Sequence, residues 1–170
     1  NLGKEYELDT SYNPKSIYLS LLTNPTRPLL VNLFLSSSYG YNYRRSYFAR
    51  SGYVYFYLYF RPSKRWSFSL MGNNWVELNP ERKVEEITTR LRPGIWFAIT
   101  KDMNIGVYEE TVLSNKTGAL SHRIGLSFSF NFLPKSWFYL ALNDLETKDE
   151  GIFLPQERIV ALKVKYLFFW

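Results

Sequence analysis

The stretch Arg123-Ile124-Gly125-Leu126-Ser127-Phe128-Ser129-Phe130-Asn131-Phe132 reads with a period of two. Ile124, Leu126, Phe128, Phe130 and Phe132 fall on one face, while Arg123, Gly125, Ser127, Ser129 and Asn131 fall on the other. Successive side chains of a strand point to opposite faces, so this run is a strand with one wholly apolar side and one small or polar side.

The same split recurs outward from it. Val160, Leu162, Val164, Tyr166, Phe168 and Trp170 alternate with Lys163 and Lys165, and Val54, Phe56, Leu58 and Phe60 alternate with Tyr53, Tyr55, Tyr57 and Tyr59. Further alternating segments run over Leu29 to Tyr39, Arg65 to Met71, Ile87 to Ile99, Met103 to Tyr108, Phe138 to Leu142 and Ile17 to Leu22, with a fainter one over Lys4 to Asp9. Counted together they predict about ten antiparallel strands, and about eight if the first two are set aside.

Composition narrows the class. Aromatic residues make up 19% of the chain, yet mean hydropathy is only -0.25. No segment approaches the roughly 18 consecutive apolar residues that a spanning helix needs. A barrel strand needs only about 10 residues with every second one apolar, which fits a modest average. The absence of cysteine excludes a disulfide framework and cysteine metal sites. The sequence opens at Asn1 without an apolar signal segment, as expected of a processed chain or a piece of a longer one.

The segments between strands predict two kinds of connection. Short ones fall at Asn24 to Arg27, Arg61 to Lys64, Thr100 to Asp102 and Leu133 to Ser136, and longer ones at Asn42 to Arg50, Asn73 to Val84, Glu110 to Leu120 and Glu146 to Gln156. Outer-membrane barrels have short periplasmic turns and longer outer loops, so the short set is assigned to the periplasm. Rings gather at that end: Phe60 and Trp66 flank one turn, Phe132 and Trp137 another, and Trp170 ends the chain, as in an aromatic girdle. The expectation is an all-β, antiparallel, up-and-down transmembrane barrel in the bacterial outer membrane. It forms a single domain over residues 1–170, with the strands over 1–27 least sharply marked, either as a whole barrel or as the last strands of a larger one.

Several short motifs strengthen this. Asn24-Pro25-Thr26-Arg27-Pro28-Leu29, Tyr59-Phe60-Arg61-Pro62-Ser63, Ser129-Phe130-Asn131-Phe132-Leu133-Pro134, Trp137-Phe138-Tyr139-Leu140 and Val164-Lys165-Tyr166-Leu167-Phe168 resemble the carboxy-terminal outer-membrane barrel of a family of unknown function. In that family a carbohydrate-binding-module-like β-sandwich precedes the barrel. The resemblance covers residues 15–170 and implies that the chain supplies the barrel's last strands. It carries over no catalytic residue and no cofactor, and it implies an amino-terminal domain that this sequence lacks.

Alternation also sorts candidate site residues. Arg65, Arg90, Arg92, Arg123, Lys163 and Lys165 are expected to face the lumen, as are Tyr53, Tyr55, Tyr57, Tyr59, Trp96 and Tyr108. The cations either attract anionic solutes or form salt bridges with Glu85, Glu86, Glu109 and Glu110 that plug the tube. The rings either fill the lumen or stack on sugar-like solutes. Phe60, Trp66, Phe128, Phe130, Phe132, Phe168 and Trp170 are expected to face lipid or form the girdle.

His122 beside Ser121 invites a barrel-hydrolase reading, but no Asp is placed to orient the imidazole and its parity puts it with Ile124 and Phe128. The net charge of +6 is spread over strands rather than gathered on a stripe, which argues against nucleic acid. The function expected is therefore non-enzymatic, a passive small-solute conduit or a membrane anchor. Membrane lipid is the partner, with partner subunits or the missing domain beside it. A soluble lipocalin-like barrel, with its apolar residues inward, is the alternative.

Overall fold

A computed structural model describes residues 5–7, 10–12 and 15–167. Two short strands, β1 (Glu5–Glu7) and β2 (Thr10–Tyr12), pair only with each other. Nine longer strands follow: β3 (Lys15–Thr26), β4 (Leu29–Asn42), β5 (Tyr47–Phe60), β6 (Trp66–Leu78), β7 (Val84–Ala98), β8 (Met103–Ser114), β9 (Gly118–Leu133), β10 (Ser136–Asp149) and β11 (Ile152–Lys165). Each pairs antiparallel with its neighbours in sequence, so the sheet is a continuous meander ordered β3 to β11. It is not closed: β3 and β11 are its two edges.

The strand count of about ten becomes nine in this sheet. Of the segment 4–9, residues 5–7 form β1 away from the sheet, and residues 4, 8 and 9 lie outside the described residues.

The long connections are corrected too. Strands run well beyond the apolar alternation, leaving turns at 43–46, 79–83, 115–117 and 150–151 that span the same two to five residues as those at 27–28, 61–65, 99–102 and 134–135. Hairpin hydrogen bonding does not require an apolar residue at every second position, so polar residues continue the ladder where the sequence pattern fades. The tightest of these turns, at Glu150 and Gly151, has φ of 47 and 90, the pair of positive values that a two-residue type I′ hairpin turn demands.

Prolines mark where the ladder tolerates a missing donor. Pro93 sits in β7 where pairing to β8 skips from Leu91↔Thr111 to Gly94↔Tyr108. Pro25 lies within the register shift of edge strand β3, and Pro155 lies on edge strand β11. All three positions avoid a central ladder bond that proline cannot make.

Register divides the side chains cleanly. Trp66, Phe97, Ile105, Phe128, Leu140 and Leu162 form one cross-sheet row, and Phe68, Ile95, Val107, Leu126, Leu142 and Val160 form the next. The opposite face carries rows such as Trp96, Gly106, Ser127, Ala141 and Ala161. Among the described residues no second layer covers the apolar rows: Ile124 is 50% and Leu162 63% exposed. Among the described residues the one buried hydrophobic side chain is Ala49. A dry core is therefore not what this sheet is built around.

Candidate functional site

The polar face carries the candidate site, and its two halves differ. Across β3 to β6 it is aromatic. Tyr18, Phe34, Tyr53 and Trp75 form a ladder of rings with successive centroid distances of 6.3, 6.2 and 6.0 Å. The ladder runs across the strands, because diagonal neighbours on one face lie within reach of large rings. Tyr55, Tyr57 and Tyr59 continue along β5 on the same face, opposite Asn73, Met71 and Ser69.

Across β7 to β9 the face is cationic and tightly packed. Trp96 lies against Gly94 and Gly106, where an added Cβ at Gly94 would come within 2.6 Å of the indole. Tyr108 lies over Gly125 in the same way. The absent side chains let both rings lie flat on the backbone, as aromatic residues do over strand glycines. Arg92 stacks on Tyr108 with its guanidinium carbon 3.8 Å from the ring centroid, and the Tyr108 hydroxyl donates to Asn143 Oδ1 at 2.5 Å. A cation over an aromatic face and a satisfied hydroxyl fix this group as a unit.

The expected lumen cations are only partly assembled. Arg90 and Arg92 share this face, with Arg90 Nε 3.9 Å from Glu110 Oε1. Arg123 shares it too, with Nη2 3.9 Å from Glu157 Oε2. Lys163 and Lys165 lie opposite Tyr139 and Trp137 on exposed edge strand β11. Arg65 is not in a strand but in the turn before β6, where its carbonyl accepts from the Ala98 amide. Trp137, expected at the girdle, faces the polar side and stacks with Tyr139 at 5.8 Å.

The apolar face carries the other expected set. Trp66 packs on Phe97 at 4.4 Å and on Phe68 at 6.1 Å, and Phe60 stacks on Phe68 at 6.5 Å. Phe128, Phe130 and Phe132 share this face with Phe138 and Tyr166. Phe168 and Trp170 lie outside the described residues. Above these rows comes a polar collar of Glu109, Thr111, His122, Asp144, Glu146 and Arg158. His122 Nδ1 is 3.5 Å from Glu109 Oε1 and 3.4 Å from Thr111 Oγ1. Ser121 has the opposite parity, so the sheet separates it from His122.

One assembly was missed by sequence reasoning. Glu77 and Glu86 stand directly opposite each other on the polar face, 7% and 4% exposed. Facing carboxylates repel, and this pair is neutralised by the β4–β5 turn. Arg45 Nε reaches Glu77 Oε2 at 3.3 Å and its Nη2 reaches Glu86 Oε2 at 2.5 Å, while Arg44 Nη2 lies 2.9 Å from the same oxygen. The turn is bent inward by the Arg45 and Ser46 amides donating to the Asn42 carbonyl, with Ser46 at φ 57.

These groups lie in strand ends that project beyond the apolar rows. The Ser114 hydroxyl donating to Glu86 holds its carboxyl below the usual range; burial opposes this, and Arg44 and Arg45 reinforce it. Lys116, hydrogen-bonded to Glu85, lowers that carboxyl likewise. The expected partners of these acids were strand cations; the actual ones are Arg44, Arg45 and Lys116 in turns. The adjacent Arg44-Arg45 pair facing Glu85-Glu86 was the available signal.

Compared with known proteins, the chain matches no family model, no curated sequence and no solved structure.

Proposed function

We propose that the nine-stranded sheet is wall of a bacterial outer-membrane β-barrel that acts without catalysis, as a passive small-solute conduit or as an anchor within a larger assembly. The observation that carries this is the inversion of the sheet: the apolar face is the uncovered one, whereas the polar face shelters Glu77, Glu86 and Ser114. Water cannot be the intended solvent for contiguous rows of Phe, Leu, Ile and Val of this extent. A bilayer accepts them and requires every strand to be hydrogen-bonded to a neighbour.

The dimensions suit that solvent. Ile124 to Phe132 covers about 27 Å of strand, or roughly 20 Å of height at the usual barrel tilt, near the ~25 Å apolar band of such barrels. The rings around Trp66 form the girdle at one border and the collar of Glu109, His122 and Asp144 forms the other.

Closure by antiparallel pairing alone needs more strands. In a meander of nine, β3 and β11 run in the same direction, so joining them directly would be a parallel seam. An odd number of further antiparallel strands between them restores the even count of bacterial barrels. A second copy inserted the same way up would again meet β3 with a parallel β11; refolded alone, the nine strands satisfy both edges by pairing β3 with β11 in that parallel seam. Inside, the aromatic half suits sugar-like rings and the Arg90, Arg92 and Arg123 half suits anions.

The test is migration of the detergent-refolded chain with and without boiling, together with partition between buffer and phosphatidylcholine vesicles. A faster-migrating unboiled species bound to vesicles is expected. A monomer soluble without detergent refutes the reading and favours the ligand-binding barrel.

A further inference from the structure

The collar on the apolar face is not uniform. Over β8 to β11 it is acidic or paired: Glu109 beside His122, and Arg158 3.2 Å from Asp144. Over β3 to β5 it is basic. There a groove of about 840 Å³ is lined by Lys15, Ile17, Ser37, Tyr39, Arg50 and Arg82 among others, and among the described residues none that lines it is acidic. Lys15, Ile17, Ser37, Tyr39 and Arg50 share the face of Leu19, Leu33, Leu35 and Val54, and Arg82 comes in from the β6–β7 turn at φ 66. Tyr39 stacks on Phe48 at 6.4 Å, giving the groove a firm side. The nearest carboxylate in that turn, Glu81, is paired with Lys83 at 2.9 Å. Among the described residues Lys15, Arg50 and Arg82 make no ion pair.

Three exposed cations with hydroxyls between them, at the edge of an apolar surface, match an amphiphile with an anionic head. We propose that this groove binds the phosphate headgroup of an anionic membrane lipid, with its acyl chains lying along Ile17, Leu19, Leu33 and Leu35. The inference rests on the membrane reading. The two guanidiniums suit the forked acceptor geometry of a phosphate, and Lys15 adds a third point charge. A free phosphate would gain the charges but leave the apolar rows below uncovered, so the lipid is the occupant the surface fits. The acidic arc on the other side of the sheet makes the site local rather than a general attraction.

The chain is refolded into phosphatidylcholine vesicles carrying trace spin-labelled phosphatidic acid or spin-labelled phosphatidylcholine, and the motionally restricted fraction of each gives the lipid preference. A clear preference for phosphatidic acid is expected. Each cation near a membrane surface contributes roughly fivefold, so Arg50→Gln with Arg82→Gln lowers the preference roughly 25-fold. Arg50→Lys with Arg82→Lys keeps most of it and reports that the variants fold, and Lys101→Gln in the opposite turn leaves it unchanged. Excess inorganic phosphate lowers the preference no more than matched sodium chloride. Insertion into phosphatidylcholine without preference for phosphatidic acid overturns the groove alone. So does a preference that survives the glutamine pair, or one abolished by phosphate but not by chloride. Failure to insert into any vesicle removes the membrane reading, and the lipid site with it.

Discussion

Phe128 sits at the middle of the apolar run of β9, between Ile105 and Leu140 in its row and 6.2 Å from Phe138. Replacing it with arginine places a cation at mid-band, which costs about 2–4 kcal/mol on the lipid face of a barrel. It also forfeits the transfer of a large apolar side chain, about 1.5–3 kcal/mol. The expected loss is therefore about 3.5–7 kcal/mol, comparable with the whole stability of many domains. Ile124→Arg, next to the collar, loses its apolar contacts but little more, because the charge cost falls to about 0–1 kcal/mol near the interface. Ser127→Arg, one residue away on the polar face, changes stability by less than about 1 kcal/mol. Urea titration of each variant in phosphatidylcholine vesicles, followed by heat-modifiable migration, measures the series. Equal losses at Phe128 and Ser127, or a larger loss at Ile124 than at Phe128, would refute the reasoning.

Other expectations follow from the polar face. Gly125→Ala lifts Tyr108 from the backbone and breaks both the Arg92 stack and the Asn143 bond; a loss of roughly 1–3 kcal/mol is expected by urea midpoint, with an altered near-ultraviolet signal. Because the folded Glu86 carboxyl titrates below its ordinary value of 4.5, its contribution is complete above that value and is lost as pH falls through the lowered one. The urea midpoint should drop on acidification through that window, and Glu86→Gln should remove that part of the drop; an unchanged pH profile in the variant would count against the Ser114 hydrogen bond and the arginines that lower this carboxyl. Arg45→Ala leaves Glu77 and Glu86 facing each other without Arg45 between them, so it should destabilise more than the double variant Arg45→Ala with Glu77→Gln, a coupling read from a double-mutant cycle.

Much of the sheet was legible because one physical rule, period-two alternation of apolar and polar side chains, governs its strands. Ile124 to Phe132 and Val160 to Val164 announce both strand and face. The rule weakens where the apolar rows end. The segment 110–120 carries no apolar alternation, yet cross-strand hydrogen bonds extend β8 and β9 into it, so an expected loop became a hairpin. Parity also placed Arg90, Arg92, Arg123, Trp96 and Tyr108 on a shared face. It did not show that Arg65 lies in a turn, or that Lys163 and Lys165 stand apart on an edge.

The Arg45 bridge joins residues 32 and 41 positions apart, and no local pattern reports such a contact. The ring ladder from Tyr18 to Trp75 depends on diagonal register across four strands. That register is set by turns and by the bulge at Thr23/Thr26, neither of which spacing alone reveals.

The central claim is that one face of this sheet meets lipid and the other meets water. The sequence contains no cysteine, so single cysteines can be placed at each position from Arg123 to Phe132 in vesicle-refolded protein. Each is labelled with an environment-sensitive fluorophore, and quenching by a nitroxide in the acyl chains is compared with quenching by aqueous iodide. The account predicts strict alternation, with Ile124, Leu126, Phe128, Phe130 and Phe132 quenched from the bilayer and Arg123, Gly125, Ser127, Ser129 and Asn131 from water. Quenching by iodide at every position, or alternation of the opposite phase, would contradict it.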